Sequence, residues 1–205
     1  MGALTQVLFP PRDPADSERD EHLVLYGVDW QTYCAVRELF EDRGVRMAYL
    51  EGALEIMSPS RKHEGYKARI ARLIEQFAVE RDIPLYAHGA PTLRKELAAR
   101  GVEPDECYVL GHSLGEEEYP HIALEVVISS GGIDKLQIYA GLGVREVWFW
   151  HKGAFHLYVL RESGYEPAER SELIPALDFV ELAQFAEDMD QPGALKRYRE
   201  ALRAR

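Results

Sequence analysis

The sequence is poor in cysteine, has no long apolar run and carries fewer basic than acidic residues. Its two cysteines, Cys34 and Cys107, lie in an apolar helical pattern and an apolar strand pattern, so we expect small buried side chains and not a disulfide or a zinc cluster. No run of 18 apolar residues occurs, which excludes a membrane-spanning helix. The first 20 residues lack the basic leader and apolar stretch of a secretion signal. We therefore expect a cytoplasmic protein with no membrane partner.

The charge balance is acidic, with 24 basic and 35 acidic residues and a net charge of −11. This argues against a protein that coats nucleic acid through bulk charge, but it allows a local basic patch. Such a patch is indicated at the start of the long helix predicted from residue 61 to residue 81, where Arg61, Lys62 and Lys67 occur. These side chains are candidates for DNA phosphate contacts. A solvated helix face would show the same pattern.

The organisation of the chain indicates one domain. Residues 1–22 are rich in charge and turn residues and are expected to form a loosely ordered arm, whereas residues 23–205 suffice for one hydrophobic core. Glu51-Gly52 between two apolar runs predicts a hairpin, in which Glu51 and Glu55 are expected to be turn and sheet-surface residues. Ser60 is the expected N-cap of the long helix. Helical and strand patterns alternate along the rest of the chain, which predicts an α/β fold with a mixed sheet and helices on its faces.

One carboxylate interrupts an otherwise apolar strand. Glu125 lies within IALEVVI, and an ionised carboxylate in a strand buried on both faces is costly unless it is paired or holds a metal. Asp105 heads the preceding strand, so both carboxylates are expected at one end of the sheet. Oxygen ligands favour Mg²⁺ or Mn²⁺ over zinc. Lys135, at the start of the next helix, could position an attacking water beside such a metal. The alternative is a buried ion pair of Glu125 with Lys135 or Arg145.

A second motif competes with this site. Gly111 to Gly115 reads GHSLG and matches the G-x-S-x-G pattern of serine hydrolases. That pattern requires a strand, a sharp turn and a helix, whereas here three glutamates and Pro120 follow. A solvent-exposed loop is therefore the preferred interpretation.

Several stretches together resemble a known family. Gly52 to Glu64 (GALEIMSPSRKHE), Glu103 to Leu110 (EPDECYVL), ALEVV around Glu125, and Gly131 to Trp150 (GGIDKLQIYAGLGVREVWFW) are similar to the PD-(D/E)XK nuclease superfamily. More narrowly, they resemble the Uma-type restriction endonuclease family. The resemblance spans roughly residues 28–190 and implies a restriction-endonuclease-like fold, with a mixed β-sheet core flanked by helices.

The resemblance also implies an activity and roles for individual residues. Asp105 and Glu125 would hold Mg²⁺ or Mn²⁺ for the hydrolysis of DNA phosphodiester bonds, and Lys135 and His63 would be catalytic. Val127 stands where the superfamily pattern has its lysine, two residues after the glutamate, and Lys135 on the following helix would replace it.

Two function hypotheses follow. The first is a Mg²⁺-dependent DNA endonuclease acting as a homodimer, because many nucleases of this type pair to cut two strands. The aromatic strand Val147 to Trp150 is either core or part of the dimer interface. The second hypothesis is a non-catalytic interaction or regulatory protein that retains the nuclease fold. It is motivated by the absent lysine at Val127 and the acidic net charge.

Overall fold

The structure is a computed structural model that describes residues 18–41, 43–115, 118–129 and 132–205. Its helices are α1 (Trp30–Leu39), α2 (Arg61–Glu80), α3 (Lys135–Leu142), α4 (Phe179–Glu187) and α5 (Gln191–Arg203). Its strands are β1 (Glu21–Tyr26), β2 (Arg46–Leu50), β3 (Ala53–Ser58), β4 (Leu85–Ala87), β5 (Leu93–Lys95), β6 (Arg100–Val102), β7 (Glu106–Leu110), β8 (Ile122–Val127), β9 (Glu146–His151), β10 (Ala154–Arg161) and β11 (Gly164–Ala168).

The strands form two sheets. The first has five antiparallel strands in the order β1-β3-β2-β6-β5. Its central hairpin, β2–β3, turns at Glu51 and Gly52, whose φ angles of 48° and 97° are both positive. A two-residue turn of this kind matches the twist of the flanking strands and favours glycine at its second position. The predicted hairpin is confirmed.

The second sheet is mixed and contains the central strand of the candidate site. Its order is β11-β10-β9-β8-β7-β4, and only the β8–β9 pair is parallel. A parallel pair needs a crossover connection, and α3 provides it. The predicted α/β class, with a mixed sheet flanked by helices, is confirmed.

Helices cover both faces of the six-stranded sheet. The long helix α2 begins at Ser60, whose side chain accepts from the backbone N–H of His63, so the predicted N-cap is confirmed. The apolar stripe of α2 packs with α4 and α5 against one sheet face. Helix α3 ends at Gly143, with φ 80°, and lies between the other face and the five-stranded sheet. The first residues of α3 therefore lie in the space between the two sheets.

The N-terminal arm predicted over residues 1–22 differs from the structure at its end. Residues 1–17 lie outside the described part of the chain, but Glu21 and His22 belong to β1, and Asp20 is buried. The segment from Glu21 already belongs to the sheet, because β1 pairs with β3 along its whole length. The sheet therefore reaches further toward the N-terminus than the composition of the arm indicates.

Of the two alternatives for the aromatic strand Val147 to Trp150, the core describes three of its four residues. Val147, Trp148 and Trp150 of β9 are at most 1% exposed, because helices cover both faces of this central strand: Trp148 and Trp150 pack with α2 and α4, and Val147 packs with α3. Cys107 is also fully buried and Cys34 partly so, and both are free thiols, as expected. Among the described helices, none has the length and apolar character needed to span a lipid bilayer.

Candidate active site

The two predicted carboxylates lie side by side. Strand β7 pairs with β8 so that Glu106 is opposite Leu124, and one step further along this register Asp105 is opposite Glu125. Paired residues on neighbouring strands point to the same face of a sheet. The backbone N–H of Val126 donates to Asp105 Oδ2 at 2.7 Å, which fixes Asp105 against β8. Asp105 and Glu125 are only 2% and 1% exposed, so both charges are removed from water.

Helix α3 supplies both partners of Glu125. Lys135 Nζ donates to Glu125 Oε2 at 2.6 Å, and Tyr139 Oη donates to Oε1 at 2.5 Å. Positions 135 and 139 are one helical turn apart, so both side chains face the same strand. Burial raises the pKa of Glu125, the ammonium of Lys135 lowers it, and the charge of Asp105 raises it again; the net shift is upward. Burial lowers the pKa of Lys135, but the charges of Glu125 and Asp105 outweigh it and keep the amine protonated.

His63 joins the site from the start of α2. Its ring is fully buried, with Nδ1 3.0 Å from Asp20 Oδ2 and Nε2 2.8 Å from Asp105 Oδ1. The second contact is a close ion pair without the alignment of a good hydrogen bond. Burial lowers the pKa of His63, but Asp105 and Asp20 together outweigh that effect and raise it to about 9. The ring is therefore an imidazolium at neutral pH, held between two carboxylates.

The sequence did not indicate two residues that lie in the candidate site. Asp20 falls in the predicted arm, yet it accepts from the backbone N–H of Ser60 at 2.8 Å and contacts His63. Glu55 was expected on the sheet surface, but it is 3% exposed because the loop before α3 covers it. The N–H of Ile133 donates to Glu55 at 3.1 Å, and His22 contacts it at 2.6 Å. Only the placement of Glu55 in an apolar strand indicated its burial.

The three candidate phosphate-binding residues differ in their exposure to solvent. Arg61 and Lys62 are exposed in the first turn of α2, one and two residues before the buried His63. Lys67, one turn further, is mostly buried and forms an ion pair with Glu64 at 2.5 Å. Arg61 and Lys62 are therefore free to contact a phosphate near the site, whereas Lys67 would first have to leave Glu64.

The serine hydrolase interpretation has no support in the geometry. Ser113 is exposed in a loop after β7, and the next regular element in the described part of the chain is β8 and not a helix. The neighbouring His112 contacts Glu118 at 3.2 Å. The strand, turn and helix that a nucleophilic serine requires are therefore absent from this described region.

The donor atoms at Asp105 and Glu125 fit a hard divalent cation. Each of the four carboxylate oxygens has one protein partner, and a carboxylate oxygen offers about two acceptor directions, so capacity for a metal remains. In the described residues, no group of three or more His, Cys, Asp or Glu is arranged around a common metal position. Mg²⁺ usually binds through one or two carboxylates and keeps several waters, so two carboxylates suffice.

Comparison with known families identifies the family of the chain. No curated protein matches the chain. The model of the Uma2 family, described as "Putative restriction endonuclease", matches residues 30–187, a range that contains His63, Asp105, Glu125 and Lys135. The match covers more than half of the chain and agrees with the resemblance found in its motifs. The chain therefore belongs to the Uma2 family of restriction endonuclease-like proteins.

Proposed function

We propose that this protein is a metal-dependent endonuclease that hydrolyses DNA phosphodiester bonds, with Asp105 and Glu125 as the ligands of Mg²⁺ or Mn²⁺. The observation that carries the proposal is the pair of buried carboxylates on adjacent strands, with an ammonium group beside them, in a chain of this family. A divalent ion held by Asp105 and Glu125 would lower the pKa of a water and polarise the phosphoryl oxygen. The remaining roles belong to the side chains of the protein.

Lys135 is the proposed catalytic cation. Its ammonium remains charged, because Glu125 and Asp105 raise its pKa, and it donates to Glu125 at 2.6 Å. It has two further N–H groups, with which it can orient a water or balance charge on the phosphate. Tyr139 positions Glu125 through the other carboxylate oxygen.

His63 is proposed as part of the catalytic machinery through Asp105. Because the ring is fully buried and Asp20 and Asp105 contact its two nitrogens, a direct contact with DNA would require the ring to become exposed and one of these pairs to break. The geometry favours a positioning role, in which the imidazolium fixes the orientation of Asp105. Arg61 and Lys62, exposed nearby on the same helix turn, are the proposed DNA phosphate contacts, with Lys67 behind them.

The test is the removal of one charge at Glu125. We expect Glu125→Gln to keep the fold, because glutamine preserves the size of the side chain and can still accept from Lys135 or Tyr139. Nicking of supercoiled plasmid DNA in the presence of Mg²⁺ should be lost. Glu162→Gln, an exposed charge change in the β10–β11 turn, is the matched control and should cut as the wild type does. Wild-type levels of nicking by a folded Glu125→Gln variant would refute the proposed site.

A non-catalytic protein that retains the nuclease fold is the second candidate. It is favoured by the Lys135–Glu125 contact of 2.6 Å, which could serve as a purely structural buried ion pair. Calorimetric titration separates the two functions. Binding of Mg²⁺ or Mn²⁺ that disappears in Glu125→Gln supports the nuclease, whereas absence of binding at millimolar metal supports the non-catalytic protein.

We further propose a cytoplasmic homodimer, since cutting both strands of a duplex calls for two active centres. The interface would lie outside the core residues of β9, Val147, Trp148 and Trp150, which are buried within one chain. Sedimentation of the purified protein at micromolar concentration tests the dimer.

A further inference from the structure

A cavity of about 470 Å³ opens beside the candidate active site. Lys135 lines it, so the cavity and the proposed metal site share a wall. Its volume lies within the range of pockets that hold small organic ligands. The roles proposed above for Asp105, Glu125 and Lys135 do not use this space.

The sheet register places the floor of the cavity in line with the two carboxylates. Glu125 of β8 is beside Phe149 of β9, and Phe149 is opposite His156 of β10. Asp105, Glu125, Phe149 and His156 therefore form one row across four neighbouring strands. With strands about 4.8 Å apart, Phe149 lies about one strand spacing from Glu125 and His156 about two. A group attached directly to the scissile phosphate can reach this distance.

The floor of the cavity consists of four rings, which we call the aromatic floor: Phe149, His151, His156 and Tyr158. Phe149 and Tyr158 meet edge to face, with ring centroids 5.8 Å apart and planes at 86°. His151 and His156 have centroids 6.2 Å apart. His156 is exposed and the other three rings are half-buried, so aromatic surface remains open to a ligand.

The other lining groups disfavour an anion. Glu55 and Asp134 line the cavity and bring two carboxylates to it, and the proposed role of Lys135 commits its ammonium to Glu125 and the scissile phosphate. A second phosphate group would meet two like charges there. A nucleobase is neutral and flat, and the exocyclic amino groups of adenine, cytosine and guanine can donate to carboxylates. The two carboxylates and the aromatic floor therefore both favour a nucleobase over a second phosphate group.

We propose that the cavity receives one unpaired nucleobase of the DNA strand that is cut, from the nucleotide next to the scissile phosphate. This inference rests on the proposed nuclease function. A base in a duplex has both faces covered by its neighbours, so it can reach the aromatic floor only from single-stranded or locally unpaired DNA. The substrate class is therefore DNA with an unpaired nucleotide at the cleavage point.

The test measures binding and not cleavage, with EDTA present throughout. The probe is a 12-nucleotide single strand that carries the fluorescent base 2-aminopurine at its centre, alone or in a fully paired duplex. We expect the wild type to bind the single strand more tightly than the duplex and to quench the 2-aminopurine. The double variant His156→Ala/Tyr158→Leu should bind the single strand roughly tenfold more weakly, because base stacking on aromatic side chains is lost. It should also lose the quenching.

Tyr86→Leu is the matched control, since Tyr86 is an exposed aromatic residue on edge strand β4, at the opposite side of the same sheet. It should bind and quench as the wild type does. His156→Ala alone, at an exposed position, repeats the test if the double variant does not fold, with a smaller expected loss. Unchanged affinity and quenching in folded floor variants, or a preference for the duplex, would overturn the inference. Loss of nicking in Glu125→Gln is measured separately, so a failed base pocket and a failed nuclease site give different results.

Discussion

The stability of this protein should fall as the pH rises from 6.5 to 9, because of one histidine. His63 is fully buried between Asp20 and Asp105, and its pKa in the folded protein is about 9, against an ordinary value of 6.5. A group with a raised folded pKa stabilises the native state fully below its unfolded pKa and loses that contribution as the pH passes the folded one. The window for this histidine is therefore pH 6.5 to 9.

The size of the effect follows from the shift. A change of one pKa unit corresponds to 1.36 kcal/mol, so the shift from 6.5 to about 9 corresponds to about 3 kcal/mol in the free energy of unfolding. The contacts with His63 lower the pKa of Asp20 and Asp105 despite their burial, so both stay ionised throughout this window. A loss of this size is a substantial part of the stability of an ordinary domain.

Urea unfolding in EDTA at pH 6, 7, 8, 9 and 10 measures the effect. His63→Gln should be less stable than the wild type at pH 6 and nearly flat between pH 6.5 and 9. His112→Gln, which changes an exposed histidine, is the matched control and should retain the wild-type slope. A wild-type free energy of unfolding that changes by less than about 1 kcal/mol across the window, or the same slope in His63→Gln, would refute the reasoning.

Two further predictions concern residues outside the site. Glu146→Ala should lower the free energy of unfolding by about 3 kcal/mol in urea titrations. The backbone N–H groups of Glu172 and Leu173 both donate to the Glu146 carboxylate at 2.8 Å, and the substitution removes their acceptor. A loss below about 1 kcal/mol would contradict this prediction. Gly101→Ala should lower the free energy of unfolding by about 1–3 kcal/mol, because the added Cβ would lie 2.7 Å from Cζ of the buried Tyr33. Thermal melting measures the effect, and an unchanged melting temperature would contradict the prediction.

Local chemistry made part of the fold predictable. The turn at Glu51-Gly52, the cap at Ser60 and the stop at Gly143 depend on residues close in sequence, and all three are present. The division into two sheets was not predictable, because strand patterns show where strands occur but not which of them pair. The short strands β5 (LRK) and β6 (RGV) have no strand pattern of their own, since half of their residues are basic.

The site shows the same limit. An apolar strand around Glu125 indicates a buried carboxylate from the sequence alone, and the ten-residue step to Lys135 indicates a partner. Asp20 is 43 residues from His63 in sequence, and no local pattern links the two. Glu55 interrupts an apolar run, ALEIM, much as Glu125 does, but only the position of the loop before α3 explains what covers it.

The family match at residues 30–187 is shorter than the unit that folds around the site. Asp20 lies before it, and helix α5 lies after it, with Tyr198 and Leu202 at most 1% exposed in the main core. A chain cut back to the matched range would leave His63 with one carboxylate and would open the groove that α5 fills on α2. Recombinant fragments of this protein should therefore keep the flanks on both sides, since trimming to the matched boundaries removes core residues and a residue of the candidate site together.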